Sequence, residues 1–255
     1  MEAHVSLPPG YRLVHFAEVD STNAEALRRA ARGDLRPTWY WADRQLQGRG
    51  RLGRSWVSEP GNLYASLLLS LLIPAARASG LSIVVSLAVA ETLRAFLPAI
   101  VPLEVKWPND VLVAGKKAAG ILIESTSQGE SMQIALGCGL NLKSAPPDTR
   151  YGATALADHG ALVAPSAALE RLAGELDKLL QQWKEGAGFA GIKSKWVGLA
   201  RDLGKEIVLT SASGEIRGRF EGLGENGSLL LRNRAGLEEF HAGEVSLSDR
   251  PEGNA

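Results

Sequence analysis

The sequence predicts an α+β fold: a mixed, largely antiparallel sheet with helices, followed by a small all-β module. Three observations carry this. Apolar runs between residues 103 and 140 are short and joined by tight Gly-containing turns, as in antiparallel neighbours. Two longer segments, 81–97 and 166–183, repeat apolar residues at helical spacing. From Lys205 onward only short strand-like runs remain, separated by Ser-Gly, Asn-Gly and Ala-Gly turns. The division follows as residues 1–200 and 203–249.

Thr22-x-x-Glu25 reads as a capping box that opens a helix running to about Ala31, with Gly33 as its stop. Pro37 to Ala42 is aromatic-rich and reads as a strand, and Asn62 to Ile73 as a buried strand. Leu81, Val84, Val85, Ala88, Leu93 and Phe96 suit a helix packed on a sheet. Leu103 to Trp107 is a strand that must end before Pro108. Asp110–Val113, Gly120–Glu124 and Met132–Leu140 continue the antiparallel series. Residues 143–165, rich in Pro, Gly and Ala, read as a long surface loop. Ser166 is positioned to cap a helix with Leu169, Leu172, Leu176, Leu179, Leu180 and Trp183 on one face, ended by Gly186. The last strands are expected near 207–209, 216–220, 229–231, 237–240 and 245–247.

Bulk properties narrow the function classes. Lys+Arg and Asp+Glu both number 28 in 255 residues, so net charge is zero, against a chain-wide nucleic-acid surface. A local basic loop remains open. Cys138, the single cysteine, excludes an intrachain disulfide and fits a reducing cytoplasm. No signal peptide is expected at the N-terminus, and no apolar run is long and clean enough to span a bilayer.

The chemistry concentrates in Gln47-Gly48-Arg49-Gly50-Arg51-Leu52-Gly53-Arg54. It contains G-x-G-x-x-G, but Ser55 to Gly61 is no helix start, and no acid lies about 20 positions on, so the dinucleotide reading fails. Three mutually repelling arginines among glycines should be mobile alone and settle around an anion, since guanidinium groups fork onto phosphate or carboxylate. The plain alternative is a solvated basic loop. A second cluster, Lys106-Trp107-Pro108-Asn109-Asp110, is followed by Lys116 and Lys117, and a hairpin would bring Asp110 near Lys117. In Gly137-Cys138-Gly139-Leu140-Asn141, glycines inside an apolar strand permit close approach of a ligand or of another backbone. Cys138 reads as a small core residue.

These motifs occur together, with Ser21-Thr22-Asn23 ahead of them and Lys117-Ala118-Ala119-Gly120 between, in the order of the biotin protein ligases. The resemblance spans about Tyr11 to Leu247. It implies a catalytic domain shared with lipoate ligases and a C-terminal SH3-like β-barrel. It implies activation of biotin by ATP, with Mg²⁺ as counter-ion, to biotinyl-5′-AMP and pyrophosphate. A lysine of a biotin carboxyl carrier protein then takes the biotinyl group and AMP leaves. By position, Ser21, Thr22, Gln45 and Gly48 would bind biotin. Arg49 and Arg51 would cover biotin and bind phosphate, and Arg54 would serve the nucleotide. Lys117 would touch the biotin carboxylate and the α-phosphate. Trp56 would lie near adenine and Asn141 in the nucleotide pocket. Asp110 is assigned to orient or deprotonate the acceptor lysine.

No metal ligands are assigned. The Ser-Thr-Asn motif begins at Ser21, which leaves no room for the DNA-binding domain of larger members, so DNA repression is not expected. Neither is a membrane partner. Monomer and homodimer both remain open. Residues 153–156 read Ala-Thr-Ala-Leu where the family often has Ala-Thr-Ser-Leu. The competing readings are lipoate or octanoate ligation on the same fold, and a non-catalytic nucleotide- or nucleic-acid-binding protein.

Overall fold

A computed structural model describes residues 5–128, 131–147, 152–211 and 214–247. Seven strands form the main sheet: β1 (Arg12–Val19), β2 (Thr38–Gln45), β3 (Leu63–Leu71), β4 (Leu103–Lys106), β5 (Asp110–Val113), β6 (Lys116–Gln128) and β7 (Ser131–Leu140), in the order β1-β2-β3-β7-β6-β5-β4. Only β1 and β2 pair in parallel. Helix α1 (Thr22–Ala31) connects them, as a parallel pair requires a crossover.

Strand residues alternate between two faces. On one, Ala26 and Ala30 of α1 pack on Tyr40, Leu68 and Ala135. On the other, Trp39, Trp41, Leu67 and Leu136 meet the larger core built with α3 (Leu81–Phe96), α4 (Pro165–Trp183) and α5 (Phe189–Leu199). A four-residue helix, α2 (Ala75–Ala78), precedes α3. Trp196 on α5 donates to Ser86 Oγ on α3 at 2.9 Å, both side chains being buried.

A second, antiparallel sheet of five strands follows: β8 (Glu206–Ser211), β9 (Gly214–Leu223), β10 (Leu229–Asn233), β11 (Gly236–Phe240) and β12 (Glu244–Leu247), in the order β11-β10-β9-β8-β12. The five strands expected from the sequence are all present. Trp107 Nε1 donates to Gly227 O at 3.0 Å, and Arg201 N donates to Val105 O at 2.8 Å, tying the two sheets together. Among the described residues, no helix is long and apolar enough to cross a membrane.

Several local expectations need correction. The N-cap of α1 is Ser21, whose side chain accepts from Ala24 N at 3.4 Å. Thr22 is therefore the first helical residue, Glu25 falls one position beyond that of a capping box, and it pairs with Arg28 and Arg29 instead. Ser166 is not the cap of α4; Ala164 is, with Pro165 at the first helical position, where a missing N–H costs nothing. The stretch 143–165 is not wholly a surface loop. Residues 148–151 lie outside the described residues, but Thr154, Ala155 and Leu156 are buried and a 3₁₀ turn spans Leu156–His159. The sequence reading also passed over β1, α2 and α5.

Candidate active site

The α1 face of the sheet carries a cleft of about 580 Å³, within the range of small-molecule sites. Its floor lacks side chains where β6 and β7 run side by side. Gly120 pairs with Gly139, and Leu122 with Gly137. A Cβ on Gly139 would fall 2.5 Å from the Trp56 ring, so only glycine lets the indole lie on the sheet there. Trp56 Nε1 is buried with no hydrogen-bond partner among the described residues, a donor available to a ligand.

The N-terminus of α1 forms one wall. Thr22 donates to Gln45 Oε1 through its backbone N (2.9 Å) and its hydroxyl (3.1 Å). Gln45 Nε2 donates to Ser58 Oγ at 3.3 Å. Ser66 donates to Asn23 Oδ1 at 2.6 Å, and Asn23 Nδ2 donates to Glu124 Oε2 at 2.9 Å. This network fixes Thr22 and Gln45, which line the cleft together with Ser21, the helix cap.

The Gly/Arg loop folds back on itself over the cleft. Arg49 and Ser55 form an antiparallel bridge, Gly50 N donates to Arg54 O at 2.7 Å, and Trp56 N donates to Gly48 O at 2.8 Å. Each arginine meets a protein acceptor. Arg49 Nη2 donates to Glu124 Oε2 (3.0 Å), Arg51 Nη1 to Asn109 Oδ1 (3.4 Å) and Gly243 O (3.3 Å), and Arg54 Nη2 to Glu244 Oε2 (2.7 Å). Burial depresses the pKa of Arg51, while Asp110 and Glu244 oppose the shift. The hydrogen bond from Arg54 holds Glu244 below the usual carboxylate range.

At the far wall, the β5–β6 hairpin brings Lys117 Nζ to 2.6 Å from Asp110 Oδ1, the proximity expected from the sequence. The amine also lies 5.3 Å from the centroid of Trp56. Lys106, directly across β4–β5 from Asp110, has its pKa lowered by burial first, with Asp110 opposing. Arg201 completes this cationic end, its Nη1 donating to Gly115 O at 2.8 Å.

Every site residue named from the sequence lines the cleft except Gly48. That glycine lies at the base of the loop, where a Cβ would stand 2.4 Å from Trp56 O. Asn141 lines the cleft but spends its amide on Thr154 O (3.2 Å) and Lys117 O (3.5 Å). Cys138 also lines it; burial pushes its thiol up to about 12, and a neutral thiol is no nucleophile. Sequence reasoning missed Asn23, Lys106, Asn109, Glu124, Arg201 and Glu244. Asn23 stood in the Ser-Thr-Asn motif, and Lys106 and Asn109 in the second motif, without a role assigned; the acids and Arg201 had no local signal.

Comparison with known proteins agrees with this geometry. Residues 19–141 match the model of the biotin/lipoate A/B protein ligase family, and residues 202–248 match the biotin protein ligase C terminal domain. The chain is 38% identical over 237 residues to the biotin–[acetyl-CoA-carboxylase] ligase of Paracoccus denitrificans, covering 90% of this chain and 98% of that one. It is 33% identical to the bifunctional ligase/repressor BirA of Escherichia coli, covering 90% of this chain and 72% of BirA. The solved biotin protein ligase from Aquifex aeolicus, in complex with biotin and ATP, superposes with a TM-score of 0.75 at 32% identity. That match covers 92% of this chain and 97% of the other.

Proposed function

The chain belongs to the biotin protein ligases, and we propose that it joins biotin to a lysine of a biotin carboxyl carrier protein in two steps at this one cleft. The observation that carries the reading is the gathering of Lys117, Arg49 and Arg51 beside the polar end formed by Ser21, Thr22 and Gln45. A carboxylate and a triphosphate repel each other, and this cleft supplies the cations that bring them together.

In the first step the biotin carboxylate attacks the α-phosphorus of ATP, an O–P bond forms, and pyrophosphate leaves. Ser21, Thr22 and Gln45 hold the ureido end. Lys117 bridges the carboxylate and an α-phosphate oxygen, where negative charge develops in the transition state. Arg49, Arg51 and Arg54 bind phosphate oxygens, and Trp56 packs near adenine. In the second step the acceptor amine attacks the carbonyl carbon of the mixed anhydride, an amide forms, and AMP leaves. The 2.6 Å pair with Lys117 supports a role for Asp110 in orienting Lys117 and the incoming amine. The loop over the cleft shields the anhydride from water.

Mg²⁺ enters this scheme as the counter-ion of ATP. Such a cation keeps several waters and binds mainly through the phosphates. The acceptor is proposed from the name of the Paracoccus relative, an acetyl-CoA carboxylase ligase.

The test is pyrophosphate release on mixing the protein with ATP, biotin and a carrier domain, followed by mass analysis of the carrier. Biotin-dependent release with one biotinyl group added is expected. Ligation of lipoate alone would overturn the assignment.

A further inference from the structure

We propose that Asp158, outside the cleft, is a positioning residue that sets Lys117 through the backbone of residues 152–154. The proposal rests on the role given to Lys117 above. Pairing between β5 and β6 shifts register at Val111/Leu112, so Val111 faces Ala119 while Leu112 faces Lys117. At this irregularity the Lys117 backbone is held by the neighbouring segment. Lys117 N donates to Gly152 O at 3.2 Å, and Thr154 N donates to Lys117 O at 3.0 Å. The amine can be no better placed than this clamp.

The clamp has two side-chain anchors: the Asn141 amide, which donates to Thr154 O and Lys117 O, and one carboxylate oxygen of Asp158. Asp158 Oδ2 accepts from the Thr154 hydroxyl and from Ala155 N, each at 2.9 Å. Those bonds, the backbone one first, hold the Asp158 carboxyl below its usual range. Thr154 and Ala155 are buried, so without Asp158 the Ala155 N–H has no replacement partner from water. The Thr154 hydroxyl also lies 3.0 Å from His159 Nε2. With the hydroxyl proton given to Asp158, that contact needs the imidazole to donate. Neither Asp158 nor His159 lines the cleft, so any effect on chemistry is indirect, and the direct route to Lys117 runs through residues 152–154.

One oxygen accepts both bonds, so an amide in its place can accept both too. The substitutions are therefore Asp158→Ala and Asp158→Asn, made in the full chain. Two readouts are taken: amide hydrogen exchange at Lys117 and Thr154, and the rate of biotin-dependent adenylate formation. In Asp158→Ala, exchange at both amides accelerates at least several-fold while β3 and β7 amides are unchanged. Its kcat for adenylate formation falls roughly tenfold, the scale of a small misplacement of a reacting group. Asp158→Asn restores both to within about twofold. Unchanged exchange at Lys117 in Asp158→Ala, or an Asn variant as impaired as the Ala variant, overturns the proposal. Absence of biotin-dependent activity in the parent protein overturns the functional reading instead, and the exchange data still decide whether Asp158 holds the clamp.

Discussion

Lys117→Ala is the sharpest test of the cleft. The amine faces Asp110 at 2.6 Å, and its side chain is 31% exposed. Two unit charges about 4 Å apart interact by roughly 4 kcal/mol at an effective dielectric near 20. Removing a single donor aimed at developing negative charge typically costs about 2.7–4 kcal/mol, or 10²–10³ in rate. Because water reaches part of the side chain, the lower end applies, and a loss of about 10²-fold in kcat for adenylate formation is expected. Stability should fall by about 1–3 kcal/mol, because the buried Asp110 Oδ1 is left without its cation. In a chain of this size that is a fall of about 2–12 °C in Tm. Single-turnover formation of the adenylate, read by pyrophosphate release, gives the rate, and thermal unfolding gives the control. A folded variant within threefold of the parent would show that Lys117 does not act on the reacting centre.

Gly139→Ala places a methyl 2.5 Å from the Trp56 ring, so the indole must lift by about 1 Å to regain ordinary contact. A rise in KM for ATP larger than that for biotin is expected, and equal KM values in the variant and parent would remove Trp56 from the nucleotide side. Gly174→Ala is the stabilising counterpart: a methyl there meets nothing within 4 Å on α4, and Tm should rise, by about 0.5–1 kcal/mol in stability. Asp20, bonded to Arg28, has its pKa lowered to about 2. A depressed carboxyl stabilises the fold above its unfolded pKa, and that contribution is lost as pH falls from about 4 toward 2. Asp20→Asn should therefore lower Tm at pH 7 and flatten the decline below pH 4; an unchanged acid limb would show that Arg28 gives Asp20 no net advantage.

The chemistry was legible where its residues are close in sequence. Arg49, Arg51 and Arg54 stand within six positions and suggest the proposed anion site, and a hairpin between Asp110 and Lys117 is a local event. What was hidden depends on long-range folding. Glu124 meets Arg49 across 75 positions, and Glu244 meets Arg54 across 190. No pattern in one chain encodes such pairs. β1 was missed because Arg12-Leu13-Val14-His15-Phe16-Ala17-Glu18 mixes charge with apolar residues, as suits an edge strand whose outer groups meet solvent. α5 was missed because Gly186, Gly188 and Gly191 crowd its start; burial of Phe189, Ile192 and Trp196 outweighs their poor propensity.

The same long-range pairs bear on how the cleft discriminates among ligands. Arg49, Arg54 and Lys117 each face a carboxylate of the protein: Glu124, Glu244 and Asp110. An anion entering the cleft must share or displace these partners, so its gain is the difference between two charge-assisted contacts rather than the whole of one. A small monovalent anion can replace one carboxylate at a time and gains little. In the proposed roles, a triphosphate next to a carboxylate engages all three cations at once, and the exchanges reinforce one another because the arginines share one short loop. On that proposal the pairing suppresses binding of simple anions while sparing the polyanionic substrate pair. Bulk phosphate should compete weakly with ATP and pyrophosphate strongly, a contrast measurable as inhibition constants. Comparable inhibition by the two would mean that the protein carboxylates do not compete for these cations.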